Sequence, residues 1–348
     1  MLEFLRRYGV LLLIGVVVVA LLAKEVHDPA KGWPVFWQLF VGGVTLGAVY
    51  ALIALGYSLV YGILKLLNFA HGDVYMIGAF IGYGIVTAFG GSASLSISVW
   101  VLIALMVVGA MLGTGVLGVV IERFAYRPLR EAPRIAPLIS ALGVSFFLQN
   151  SALLIFGASV RTYDSYNLGS ANPGLGLPGP LFKTVFSLTS VPVSRATLLV
   201  VIGGLVLMLL LAVFVGRTRL GKAMRATAYD REAAAMMGID VDRVIASTFF
   251  IGSALAGAAG VMYGIVFSQV FHFMGFLAGL KGFTAAVVGG IGSIPGAMIG
   301  GLLVGLAEVF ASGYVSGNWA NLIVFGMLIV VMLVRPSGLF GTRAIQKV

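Results

Sequence analysis

Cysteine is absent from this 348-residue chain, which excludes disulfides, thiolate nucleophiles and cysteine-ligated metal sites and leaves the redox compartment unread. Charge is nearly as scarce. Asp, Glu, Lys and Arg make up 10% of the residues, against about a quarter in soluble domains. The three histidines, His27, His71 and His272, lie far apart. Asp73 is the single aspartate near a membrane segment, so no zinc motif, Ser/His pair or intramembrane aspartate pair is expected, and with it no hydrolytic chemistry. What fills the chain is apolar: 60% of it is hydrophobic. At about 20 residues per span, that supplies on the order of ten membrane crossings and leaves little for an extramembrane domain. A soluble globule is excluded, and membrane lipid becomes the chain's main solvent.

Apolar runs occur at about 9–23, 37–63, 72–89, 97–120, 135–157, 197–215, 245–270, 275–290, 297–314 and 319–334. Without strict alternation they read as helices, and open backbone cannot face lipid, so the fold class is all-α, a polytopic helical bundle of eight to ten spans. The net charge of +10 does not point to nucleic acid, because the basic residues sit in short gaps between apolar runs and not on one water-facing surface. They report topology instead. Sixteen of the 22 fall on the side that would hold both termini, among them Lys65, Arg123, Arg127, Arg130, Arg217, Arg231, Arg243 and Arg335. Five fall on the other side, and Lys281 is left inside. Retention of Lys and Arg on the cytoplasmic side gives N-in and C-in, a parity that eight spans would share with ten. The polar stretch 158–196 is then an external loop. Arg6 and Arg7 ahead of Val10–Ala23 resemble a signal peptide, but no clean cleavage site follows, and residues 1–35 read as an extension with an anchor-type or signal-like helix.

The basic loop 216–243 contains Gly216-Arg-Thr-Arg-Leu-Gly221-Lys222-Ala223, one residue short of a phosphate-binding loop. Ala223 stands where a Ser or Thr hydroxyl must ligate Mg²⁺, and no α/β domain surrounds it. Any ATP used is therefore hydrolysed by another polypeptide. Farther on, Asp230-Arg231-Glu232-Ala233-Ala234-Ala235-Met236-Met237-Gly238 opens with an acidic first turn and ends on a glycine suited to a C-cap. Such a short amphipathic helix cannot span a membrane. Its small and pliable apolar residues suit docking to a partner.

Polar residues within the spans are expensive and are the next candidates. Asn68, His71 and Asp73 cluster around Gly72. They read either as a broken helix start near a pathway or as an edge turn in which Asn68 or Asp73 caps the following helix. Lys281 and Glu308 are the charges of the last three spans, expected to pair across neighbouring helices as a structural pair more readily than to contact substrate. Gly289-Gly290-Ile-Gly292-Ser293-Ile-Pro295-Gly296 narrowly misses a dinucleotide fingerprint and lacks the βαβ setting. Gly290 and Ser293 then belong to a discontinuous helix that could meet a carboxylate or to a tight cytoplasmic turn, which the topology favours.

Glu232-Ala233-Ala234 with Gly238 matches the E-A-A-x-x-x-G signature of ABC importer permeases. Gly56-Tyr-Ser-Leu-Val-Tyr-Gly62, Leu67-Asn-Phe-Ala-His-Gly-Asp-Val-Tyr-Met-Ile-Gly78, Ile121-Glu-Arg-Phe-Ala-Tyr-Arg-Pro-Leu-Arg130 and Phe283 to Ala297 extend the match. Together they resemble the smaller permease of high-affinity branched-chain amino acid ABC transporters, over about residues 36–348. The resemblance implies a permease domain over that range and a bacterial inner-membrane location. It implies a second homologous permease, two cytoplasmic ATPase subunits and a soluble binding protein as partners. Asp230, Arg231, Glu232, Ala233, Ala234 and Gly238 would form the ATPase-coupling helix. The chain would be no enzyme and bind no cofactor itself, with ATP and Mg²⁺ used by the partner subunits. A urea or short-amide importer of the same family is the nearest rival. An ion-coupled secondary transporter, with Glu308 and Lys281 as coupling residues, is the rival from another class.

Overall fold

The computed structural model describes residues 32–90, 99–130, 132–133, 135–163, 184–188 and 191–341. The first apolar run, His27, most of the loop 158–196 and the extreme basic residues at both ends fall outside them. Eleven helices occur among the described residues: α1 (Trp33–Leu64), α2 (His71–Gly90), α3 (Val99–Ile121), α4 (Ile135–Phe156), α5 (Arg195–Arg217), α6 (Arg219–Tyr229), α7 (Arg231–Met236), α8 (Val241–Phe267), α9 (Met274–Gly289), α10 (Ile294–Tyr314) and α11 (Gly317–Val334). Eight are long and apolar enough to cross a membrane, and the chain is a multi-pass helical membrane protein. A small antiparallel hairpin, β1 (Thr184–Leu188) with β2 (Val191–Ser194), precedes α5.

Burial separates a spine from a ring. The most apolar stretches of α1 and α8 are 72% and 78% buried, whereas that of α11 is 17% buried and those of α3, α4 and α5 are 33%, 28% and 28% buried. On α3 the exposed residues Val101, Leu105, Val108, Leu112, Val116 and Val120 recur every three or four positions, one stripe of a helix facing lipid. The spine is held by glycine. Gly43 and Gly47 of α1 face Leu306 and Leu302 of the antiparallel α10, and Gly301 and Gly305 return the contact onto Ala51 and Gly47. A Cβ at Gly47 would stand 2.8 Å from the Cα of Leu302. In lipid, where apolar burial gives helices no preference for one another, such close backbone approach is what dispersion can use. Gly56 against Gly252 and Gly78 against Gly257 do the same for α1–α8 and α2–α8.

Two elements stop short. The imidazole of His71, first residue of α2, lies against Gly56 of α1, eight residues before α1 ends at Leu64. At 1.5 Å per residue, α2 starts about 12 Å inside the end of α1, and Lys65–Ala70 return into the bundle without helical structure. The run expected at 275–290 is likewise a short helix of 16 residues, about 24 Å long against about 30 Å of hydrocarbon. Residues 268–273 lead down to it from the end of α8. Gly72 packs on Gly275 and Gly279, so the N-terminal ends of α2 and α9 meet inside the bundle.

Candidate functional site

The loop between α5 and α8 folds as two short helices, each opened by a side-chain cap. Thr218 accepts from the Gly221 N–H (3.0 Å) to start α6, and Asp230 accepts from the Ala233 N–H (3.0 Å) to start α7. The end of α7 is closed at Gly238, where φ is +82°, a conformation that favours glycine. The Ile239 N–H donates to the Ala234 carbonyl and the Gly238 N–H to that of Ala235, the paired bonds of a Schellman closure. Six residues are therefore fixed at both ends. Ala234 is buried, Glu232 is exposed, and Met236 and Met237 are 82% and 83% exposed, with Tyr229 beside them as open. Methionine at such a surface fills an irregular groove on another body.

Two connections lead inward from α7. The guanidinium of Arg231 donates to the carbonyl of Ile63, with Nη2 at 2.8 Å and Nε at 3.3 Å, tying the start of α7 to the last turn of α1. The other connection runs through the start of α8. Asp242 pairs with Arg127 and, at 2.5 Å, with Arg130, and Arg130 also pairs with Glu122. Glu122 opens a π-helical turn, Glu122–Tyr126, at the end of α3, Arg127 opens the 3-10 turn that follows, Arg127–Leu129, and Arg130 closes it. From the π turn the hydroxyl of Tyr126 donates to the Leu67 carbonyl (3.1 Å) and the Asn68 Oδ1 (3.2 Å). A chain of bonds thus joins α7 to the returning segment Lys65–Ala70.

Asn68, His71 and Asp73 are all buried. Neither Asn68 nor Asp73 caps α2, the edge-turn expectation. Asn68 bonds Tyr126, and the Asp73 carboxylate accepts from Ser145 Oγ (2.5 Å) and Gln149 Nε2 (3.0 Å) of α4. Nε2 of His71 has no hydrogen-bond partner, and its ring packs edge-on to Tyr57 at 4.8 Å. The glycine-rich segment is a turn: Gly290, at φ +112°, ends α9, and Ser293 caps α10 by accepting from the Gly296 N–H. The segment after α11 locks this turn, since the N–H groups of Leu339 and Phe340 donate to the carbonyls of Val288 and Gly289. Lys281 Nζ and Glu308 Oε1 pair at 2.6 Å, and Tyr50 of α1 donates to Glu308 Oε2 at 2.9 Å. Among the described residues no group of three or more His, Asp or Glu could hold a metal ion.

Sequence reasoning missed Tyr126, Ser145, Gln149 as a partner of Asp73, and the Arg130–Asp242 link. The signal for the last was present, as Glu122, Arg127 and Arg130 concentrate charge at the end of an apolar run.

The described residues form a helical membrane bundle with a short capped helix, α7, held at one face, the architecture of a membrane permease subunit. A family model described as branched-chain amino acid transport system / permease component matches residues 39–333, and the chain belongs to that family. Among its relatives, the high-affinity branched-chain amino acid transport system permease protein LivH of Salmonella typhimurium is 43% identical over 90% of this chain and 98% of its own length. LivH of Escherichia coli K12 is 44% identical with the same coverage, and BraD of Pseudomonas aeruginosa, another high-affinity branched-chain amino acid permease protein, 43%. No solved structure matches the chain.

Proposed function

We propose that this chain is a permease subunit of an ABC importer and forms half of the translocation path for leucine, isoleucine and valine across the bacterial inner membrane. The family match and relatives covered over 98% of their length support this reading above a urea importer or an ion-coupled transporter. The chain is no ATPase. Two cytoplasmic ATPase subunits would use ATP and Mg²⁺, a second homologous permease would complete the path, and a soluble binding protein would deliver substrate to the loop 158–196. Residues 36–348 make the permease domain, residues 1–35 an anchor-type extension, and the basic face carrying α7 is the cytoplasmic side, with both termini in.

The observation that carries the proposal is the geometry of α7: six helical residues capped by Asp230, closed at Gly238, pinned through Arg231 and presenting Met236 and Met237 outward. An ATPase that grips the methionine edge and moves drags the end of α1 through Arg231 and the returning segment through Asp242, Arg130 and Tyr126. Mid-bundle residues Asn68, His71 and Asp73 lie at the end of that linkage, where the starts of α2 and α9 can shift to open one side and close the other. The test is reconstitution of the whole transporter with Glu232→Lys or Gly238→Asp. ATP hydrolysis should separate from leucine uptake, or the ATPase should fail to co-purify. Normal assembly and uptake in both variants, or uptake by the chain alone on an ion gradient, would refute it.

A further inference from the structure

Where α1 ends, a pocket of about 160 Å³ opens between Lys65, Arg130 and Arg231, floored by Leu64, Leu66 and Pro137. Among the described residues, its charge is only partly balanced. Lys65, held at φ +56°, pairs with no carboxylate among the described residues, and its ammonium lies 5.9 Å from the Tyr61 ring centroid. Among the described residues, the Arg231 guanidinium bonds the Ile63 carbonyl and pairs with no carboxylate. Arg130 meets Glu122 and Asp242, but Asp242 also serves Arg127, and the buried Nε–H of Arg130 makes no hydrogen bond. Among the described residues, the carboxylates paired with this cluster are Glu122 and Asp242, and these are engaged by Arg127 and Arg130, which leaves Lys65 and Arg231 without one. Burial, then the Arg231 charge, holds the Lys65 ammonium below its ordinary range, and burial, then the Arg130 charge, does the same to Arg231. An anion seated among them would relieve both.

The surroundings identify the anion's source. The turn of α4 that contributes Pro137 to the floor also turns Ile135 and Ile139 outward, followed by Phe146 and Phe147 on the same exposed helix. The cationic pocket therefore adjoins an exposed apolar surface at the end of a helix long and apolar enough to cross a membrane. A phosphodiester there would accept from the ammonium and the guanidinium groups while its acyl chains followed α4, and basic pockets between helix ends are a recurrent form of headgroup recognition. We infer that Lys65, Arg130 and Arg231 form a binding site for the phosphate of an anionic phospholipid, placed directly beside the start of α7. A soluble carboxylate would use the cations but not the adjoining apolar face.

The test uses the full chain purified with its partner subunits, delipidated and titrated with phosphatidylglycerol, with bound lipid counted by native mass spectrometry. Each charge removed should weaken retention about fivefold, so Lys65→Gln with Arg231→Gln should lose about thirtyfold. Arg219→Gln, an exposed cation on α6, should change nothing, and phosphatidylethanolamine should not be retained. Because Arg231 also anchors α7, Lys65→Gln alone and Arg231→Lys serve as milder variants: the first should show the fivefold loss in a normally assembled complex, the second nearly full retention. Equal retention in the double variant, or equal binding of phosphatidylethanolamine, would overturn the site. Displacement by millimolar inorganic phosphate, or lipid retention only after the ATPase subunits are stripped from the complex, would overturn the lipid assignment in favour of a free anion or a partner carboxylate.

Discussion

Removing the carboxylate of Glu308 should be among the most destabilising single changes in the membrane part of this protein. Lys281 is 6% and Glu308 15% exposed, and their 2.6 Å pair is completed by the Tyr50 hydroxyl. Breaking such a pair from one side leaves a buried charge uncompensated, at about 3–5 kcal/mol. Glu308→Ala also orphans Tyr50, adding about 1–3 kcal/mol. Lys281→Met leaves the carboxylate with one neutral donor and falls in the lower part of the same range. The double variant Lys281→Met with Glu308→Gln removes both charges, and the glutamine oxygen can still accept from Tyr50, so it should return close to wild type. Thermal midpoints of the purified complex for Lys281→Met, Glu308→Gln and the two combined, set out as a double-mutant cycle, give the coupling. Leucine uptake in proteoliposomes then separates a structural pair from a working one. Single variants as stable as wild type would refute the energetic argument, and a double variant with wild-type stability but no uptake would refute the assignment as structural.

Three further outcomes follow from the same geometry. Gly301→Ala pushes a Cβ into the backbone of Ala51 and should cost about 1–3 kcal/mol, seen as a lowered thermal midpoint, while Gly84→Ala, with nothing within 4 Å, should be neutral or mildly stabilising. Gly238→Ala has open space but a left-handed backbone, so it should loosen α7 by about 1–2 kcal/mol and reduce ATPase retention, with Gly238→Asn closer to wild type. Tyr126→Phe deletes the bonds to Leu67 and Asn68. It should cost about 1 kcal/mol and raise ATP hydrolysed per leucine transported; an unchanged ratio would show that the link carries no motion.

The sequence made the spans legible because a bilayer demands long apolar runs, and every run that falls on described residues is helical. The short helix after Asp230 was legible too, since an acidic start and a glycine stop act within one or two turns. The run at 275–290 has the apolarity of a span, but hydropathy is blind to the depth at which a helix begins, so the short α9 emerged only from the packing of Gly275 and Gly279 on Gly72. Asp73 shows the same limit. As a residue near a helix start it reads as a cap, and only the approach of α4, more than seventy residues later in the chain, supplies Ser145 and Gln149 in place of backbone N–H groups. The hairpin before α5 stayed hidden because strands of five and four residues carry too little alternation to register.

The glycine seams have a mechanical consequence. Two helices whose backbones touch have no side-chain cushion between them, and any sliding would drive Cα atoms into carbonyls. Gly43, Gly47, Gly301 and Gly305 therefore weld α1 to α10 as one stiff beam. Its end, at Ile63 and Leu64, carries the Arg231 anchor, so a displacement applied there would move the two helices together. The compliance of the molecule must reside elsewhere, in the returning segments before α2 and α9 and in the loosely seated outer helices, which divides the bundle into a lever and the soft joints around it.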